Sequence, residues 1–220
     1  MNDNGSLPGR TDRTVIVGSN GSGKTQFAAW LLSTRDYKRR PWTIFNTKND
    51  ALLDRIGAKE LSTKAKPPTR PGLYQIKYLQ GRDGDLMNEY MERVFRQEDS
   101  GLYIDEGYAV PQNSYQLQAL MTQGRSKNIE VLFLAQRPVN IRREVLSEGT
   151  YYAIFRLTDK RDRDTVRSLV PINAKIRLPP FHSWWYSVRQ DQLSVMKPVP
   201  QSREIVGLYR PQHNTQMVVI

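Results

Sequence analysis

Three short stretches of the chain carry residue types suited to a polyphosphate. The first is Gly18-Ser19-Asn20-Gly21-Ser22-Gly23-Lys24-Thr25, which fits G-x-x-x-x-G-K-[ST] in full. Its glycines let the backbone wrap an anion without Cβ clashes. Successive N–H groups and the start of the following helix then point at the phosphates. Lys24 is placed to reach the β- and γ-phosphates of ATP, and the Thr25 hydroxyl to meet Mg2+. A chance Gly/Ser turn is the competing explanation. The context argues against it, because an apolar run precedes the motif and a helical pattern follows.

The second stretch is Leu102-Tyr103-Ile104-Asp105-Glu106, an apolar run that delivers carboxylates at its end. The carboxyl ends of strands are where open α/β sheets bind ligands. Asp105 is expected to hold Mg2+, directly or through water, and Glu106 to act as general base on the attacking water. Alone, such a run is commonly a surface turn; the upstream Gly-rich loop gives it its meaning. The third stretch is Val131 to Pro138, where Gln136 directly follows a buried run. Gln there can orient water or sense the γ-phosphate, and a strand-capping Gln is a fair competitor.

The elements that must hold these residues read as alternating strands and helices. Strands are predicted at Thr14–Val17, Trp42–Phe45, Leu73–Tyr78, Leu102–Ile104, Val131–Ala135, Tyr151–Leu157 and Trp184–Val188. Helices are predicted at Lys24–Leu32, Leu86–Phe95, Tyr115–Thr122 and Asp162–Leu169, and a loop at Lys59–Pro71. The alternation implies an α/β fold with a mainly parallel sheet and helices on both faces. Residues 1–12 read as a flexible lead-in, 13–195 as one P-loop domain and 196–220 as a C-terminal arm or tail.

Composition narrows the field. The hydrophobic fraction of 38% allows a real core. Against 22 acidic residues stand 33 Lys plus Arg, a formal net charge of +11, which favours polyanionic partners such as nucleic acid. Cysteine is absent, which excludes disulfides, thiolate metal sites and cysteine nucleophiles. The histidines, His182 and His213, are too isolated to suggest zinc. No signal peptide or membrane-spanning run is present, so a soluble intracellular protein is expected. Candidate DNA contacts are Arg35 with Lys38-Arg39-Arg40, the loop Lys59 to Arg70, and Lys160-Arg161 with Arg163; a solvated outer face is the plainer reading of each. Trp184-Trp185-Tyr186 could stack on bases, but alternate packing into the core is the better reading.

In order along the chain, GSNGSGKT, LYIDE, GRSKN and LAQRP resemble the FtsK/HerA superfamily of DNA-translocating ATPases. Gly124-Arg125-Ser126 and Ala135-Gln136-Arg137-Pro138 are the most specific part. Asn46-Thr47-Lys48 resembles the superfamily's Asp-Pro-Lys segment, with Asn and Thr in place of Asp and Pro. The likeness spans roughly Arg13 to Val170. It implies a RecA-like P-loop ATPase that works as a homo-oligomeric ring, usually a hexamer, around double-stranded DNA. ATP then binds between subunits, and a neighbour's arginine supports the γ-phosphate, a contribution that can reach about 10³ to 10⁵ in rate. Arg125 is the candidate, with Arg142 and Arg143 as alternatives.

A bare basic motor of this length is most similar to the packaging ATPases of membrane-containing icosahedral double-stranded DNA viruses. That likeness implies capsid or portal-vertex proteins as partners. It also implies work in the host-cell cytoplasm, with association to the virion. A motor for conjugation or chromosome handling, a P-loop small-molecule kinase and a non-catalytic nucleotide-binding assembly protein are the competitors. Gly-Arg-Ser and Gln-Arg-Pro argue against the kinase, and intact Lys24, Thr25, Asp105 and Glu106 against the non-catalytic protein.

Overall fold

The computed structural model describes residues 7–79, 81–173 and 176–210. Residues 1–6 of the expected lead-in and 211–220 of the expected tail, His213 among them, lie outside the described residues. The first half holds β1 (Arg13–Val17), α1 (Lys24–Ser33), β2 (Pro41–Phe45), α2 (Ala51–Arg55), β3 (Lys59–Glu60), β4 (Gly72–Ile76), α3 (Gly84–Gln97) and β5 (Ser100–Ile104). The second holds α4 (Tyr115–Gln123), β6 (Ile129–Ala135), α5 (Arg143–Ser147), β7 (Tyr151–Ile154), α6 (Lys160–Arg167), β8 (Ser183–Ser187), β9 (Gln192–Met196) and α7 (Ser202–Leu208).

One nine-stranded sheet runs β3-β4-β2-β5-β6-β1-β7-β8-β9. The pairs from β3 to β7 are all parallel, and β8 and β9 close the sheet as antiparallel strands. Side chains alternate between two cores, as the pleat requires. Val15, Leu102, Ile104, Val131 and Phe133 face the core under α3 and α4, with Met87, Met91 and Leu120. Ile16, Ile44, Tyr103, Leu132 and Leu134 face the core under α1, with Phe27, Leu31 and Leu32. This double burial is why the central strands read as unbroken apolar runs. The β8 aromatics obey the same alternation. Trp185 is 2% exposed and stacks on Tyr151, while Trp184 and Tyr186 lie partly buried on the other face.

Helix starts follow local chemistry. Asp50 accepts from Leu52 N–H to open α2, Ser114 from Leu117 N–H to open α4, and Asp159 from Arg161 N–H to open α6. On α3, Met87, Tyr90, Met91 and Val94 form the buried face, and the wet face carries Glu89–Arg93 and Glu92–Arg96 pairs one turn apart.

Several expected boundaries move. The strand expected to run to Leu157 ends at Ile154, because the chain then turns beneath the Gly-rich loop: Ser19 N–H donates to Arg156 O at 2.9 Å. The strand expected to Tyr78 ends at Ile76, and the loop at Lys59–Pro71 includes the two-residue strand β3. Part of the expected lead-in is pinned: Asp12 is buried and accepts from Gly9 N–H at 2.7 Å. The stretch from 196, expected as an arm or tail, folds back on its own chain as far as it is described. Ile205 and Val206 of α7 enter the core beside α1, and Tyr209 stacks on Tyr37 and donates to Ala29 O.

A buried charge network removes part of one expected DNA contact. Arg40 Nη2 meets Glu130 Oε2 at 2.6 Å, and Arg35 Nη1 meets Glu130 Oε1 at 3.0 Å. Arg40 also donates to Arg10 O and Asn128 O and pairs with Asp36. Both arginines are therefore committed to holding the amino ends of β1, β2 and β6 together; only Lys38 and Arg39 of that group stay exposed. Because a buried pair is broken, Arg40→Ala costs about 3–5 kcal/mol of stability in urea denaturation.

Candidate nucleotide-binding site

Strand order decides what meets. β2, β5, β6 and β1 are consecutive in the sheet and parallel, so the loops after them open along one edge. Lys48 follows β2, Asp105 and Glu106 follow β5, Gln136 follows β6, and the Gly-rich loop follows β1.

The loop has an anion cradle's backbone. Gly21 and Gly23 take φ of 70° and 100°, the left-handed region that a side chain disfavours. Gly18 is excluded from any larger type by contact, since a Cβ there would fall 2.5 Å from Phe155 Cβ. Gly23 caps α1 with no side-chain acceptor, and no acidic residue stands in its first turn. The first N–H groups of α1 therefore point outward with the helix dipole behind them.

Lys24 is 6% exposed, and its ammonium donates to Ser19 O at 3.0 Å across the loop. Burial and then the nearby charge of Lys48 push its pKa down to about 8, against the opposing pull of Glu106 and Asp105. A polyphosphate is the counter-charge this group lacks. Thr25 is half-buried on the first turn of α1, and Ser22 Oγ is buried without a hydrogen-bond partner.

Asp105 is 2% exposed, and neither carboxylate oxygen has a hydrogen-bond partner. Burial raises its pKa to about 6. Such an orphaned carboxylate fits a hard divalent cation such as Mg2+, which takes oxygen ligands. Its cost to the nucleotide-free fold has a definite sign. With the folded pKa above 3.8, the group's stabilising share is full below that value and is lost as pH rises through about 6. Asp105→Asn is therefore expected to raise the melting temperature of the nucleotide-free protein at pH 7.5 by about 2–4 °C.

Glu106 is held from both sides. Lys48 Nζ meets its Oε2 at 2.6 Å, and Gln136 N–H donates to its Oε1 at 3.3 Å. Gln136 Nε2 stands 3.5 Å from Asn20 Oδ1, so this side chain spans from β6 to the loop. Arg137 turns away and pairs with buried Asp162 at 2.7 Å, anchoring the segment after β6 to α6.

Gly18 to Thr25, Asp105, Glu106 and Gln136 thus share one edge, whereas Arg125 does not join them. It lies exposed just before β6, at the opposite end of the sheet, within range of Arg13. Arg142 pairs with Glu144, and Arg143 donates to Ser168 Oγ. Lys48 is the site residue that motif reading named without a role. Its signal lay in the Asn46-Thr47-Lys48 segment after β2. Asn46 itself is wholly buried; its Oδ1 accepts from Asp50 N–H and its Nδ2 donates to Asp54 Oδ1, so it shapes the turn into α2.

No protein-family model matches the chain. The DNA packaging ATPase P9 of Enterobacteria phage PRD1 is 36% identical over 214 residues, covering 92% of this chain and 94% of that protein. The chain belongs to the P9 family of DNA packaging ATPases. The FtsK/HerA resemblance of its motifs agrees with that membership. Solved structures share the fold. The genome packaging NTPase B204 of Sulfolobus turreted icosahedral virus 2, in complex with AMPPCP, superposes with a TM-score of 0.60 at 15% identity over 87% of this chain and 100% of that one. VirB4 of Thermoanaerobacter pseudethanolicus gives 0.65 at 10% identity over 91% and 93%. At these identities the likeness speaks for the fold alone.

Proposed function

We propose that this chain hydrolyses ATP with Mg2+ to drive double-stranded DNA into a viral capsid. The near full-length kinship to P9 carries this reading, and the residues gathered at one sheet edge supply its chemistry. Gly18 to Gly23 wrap the phosphates, and Lys24 meets the β- and γ-oxygens. Thr25 and Asp105 are the residues that would hold Mg2+. When bound, the ion supplies charge neutralisation at the phosphate oxygens. Glu106 takes the proton of the attacking water, held in place by Lys48 and the Gln136 backbone. The Gln136 side chain lies between Glu106 and the loop, where it can orient that water.

A ring, six-membered as in the superfamily it resembles, completes the site. Arg125 cannot serve its own nucleotide from the far end of the sheet, so it acts on a neighbour's. The location that follows is the host-cell cytoplasm, at the capsid's portal vertex. Among the described residues no helix is long and apolar enough to cross a membrane. In mixed assemblies, Arg125→Ala and Glu106→Gln subunits should recover turnover above either parent, because one interface then holds both native groups. Turnover no higher than the parents removes the trans role of Arg125.

Translocation itself is tested by ATP-driven displacement of a third strand from a triplex on long duplex DNA. Displacement that needs hydrolysable ATP supports the motor. Hydrolysis without displacement under any condition contradicts it.

A further inference from the structure

Phe181 stands on the segment that enters β8, and its ring lies against the Gly-rich loop. A Cβ built on Gly23 would meet Phe181 Cδ1 at 3.3 Å and Phe155 Cε1 at 3.6 Å. The rings differ in setting. Phe155 is 4% exposed and packs edge-on against Phe27 with centroids 5.6 Å apart, so the core accounts for it. Phe181 is 58% exposed, and its φ of 61° lies in the left-handed region. That conformation is an outlier for a bulky side chain and persists only where its surroundings impose it. Here Pro179-Pro180 precede it, and His182 N–H closes the turn on Pro179 O at 3.2 Å. A strained backbone thus presents a wet aromatic face beside the phosphate cradle, and packing alone gives no reason for it.

The same end of α1 is bordered by the chain beyond β9, where Gln26 Nε2 donates to Pro200 O at 2.7 Å. A triphosphate seated on residues 18–25 must lead its nucleoside out past the start of α1, between these borders. A purine has a flat π-face that stacks on an exposed aromatic ring.

We propose that Phe181 is the platform on which the adenine of bound ATP stacks, which makes it a determinant of nucleobase recognition. The proposal rests on the reading of Gly18 to Thr25 as the triphosphate site. Titration calorimetry of the full chain, with Mg2+ and either AMPPCP or inorganic tripolyphosphate, separates the two. Phe181→Ala should weaken AMPPCP about tenfold and leave tripolyphosphate unchanged. Phe181→Leu, which keeps bulk against Gly23 but has no π-face, should weaken AMPPCP as well. Phe181→Trp should restore it. Equal weakening of both ligands in Phe181→Ala, or of neither, overturns the platform. Lys24→Ala is the control on the underlying reading and should weaken both ligands. Unchanged binding in that variant would remove the triphosphate site, and Phe181's role with it.

Discussion

Lys24→Ala lowers the ATP turnover of the purified protein by about 10² to 10³, the scale for removing one preorganised charge donor from a phosphoryl-transfer site. The structure explains why no neighbour substitutes. Lys24 is buried within the loop it serves and held to Ser19 O at 3.0 Å. Lys48, the cation nearby, is already engaged with Glu106. Lys24→Arg fares little better, because the guanidinium is larger and planar and the slot is 6% exposed. Phosphate-release kinetics measure the loss, and nucleotide titration shows it arising in binding as well as in rate.

A pH signature accompanies the side chain. Its pKa of about 8 without nucleotide must rise when phosphate oxygens arrive. Nucleotide binding at pH 9 therefore takes up a proton, and affinity falls as pH climbs through about 8. Lys24→Ala loses this dependence.

Glu106→Gln gives the second large effect and separates binding from chemistry. Turnover falls by about 10² to 10⁴, the range for a positioned general base, while Mg2+-nucleotide affinity stays near wild type. Gln keeps the acceptor for Gln136 N–H but cannot take a proton. It also loses the charge that holds Lys48, an ion pair whose carboxylate is 6% exposed. Near-normal turnover would remove Glu106 as the base.

Much of this was legible in the sequence because the central strands are buried on both faces. Runs such as Val131–Ala135 and Leu102–Ile104 carry no polar residue to confuse the period, and each is followed directly by a candidate site residue, Gln136 and Asp105. The Gly-rich loop is legible for a different reason, since contacts and positive φ fix its glycines at Gly18, Gly21 and Gly23. What stayed hidden is short or depends on distant partners. The five-residue helices α2 and α5 have too few positions for a periodic pattern, and tertiary packing must sustain them. The edge strand β9 is only partly buried, so its alternation is faint. The pairing of Arg35 and Arg40 with Glu130 spans 95 and 90 residues, and in sequence the arginines look like a solvated basic patch. Phe181 reads as one more apolar residue until the fold lays it beside Gly23.

The motor is tested by the ATP hydrolysis rate of the purified protein with and without long double-stranded DNA, at low and moderate salt. An ATP-driven DNA motor with a net charge of +11 should show strong stimulation that fades as salt rises, because phosphate contacts release counterions. Turnover indifferent to duplex DNA at every salt concentration would contradict it.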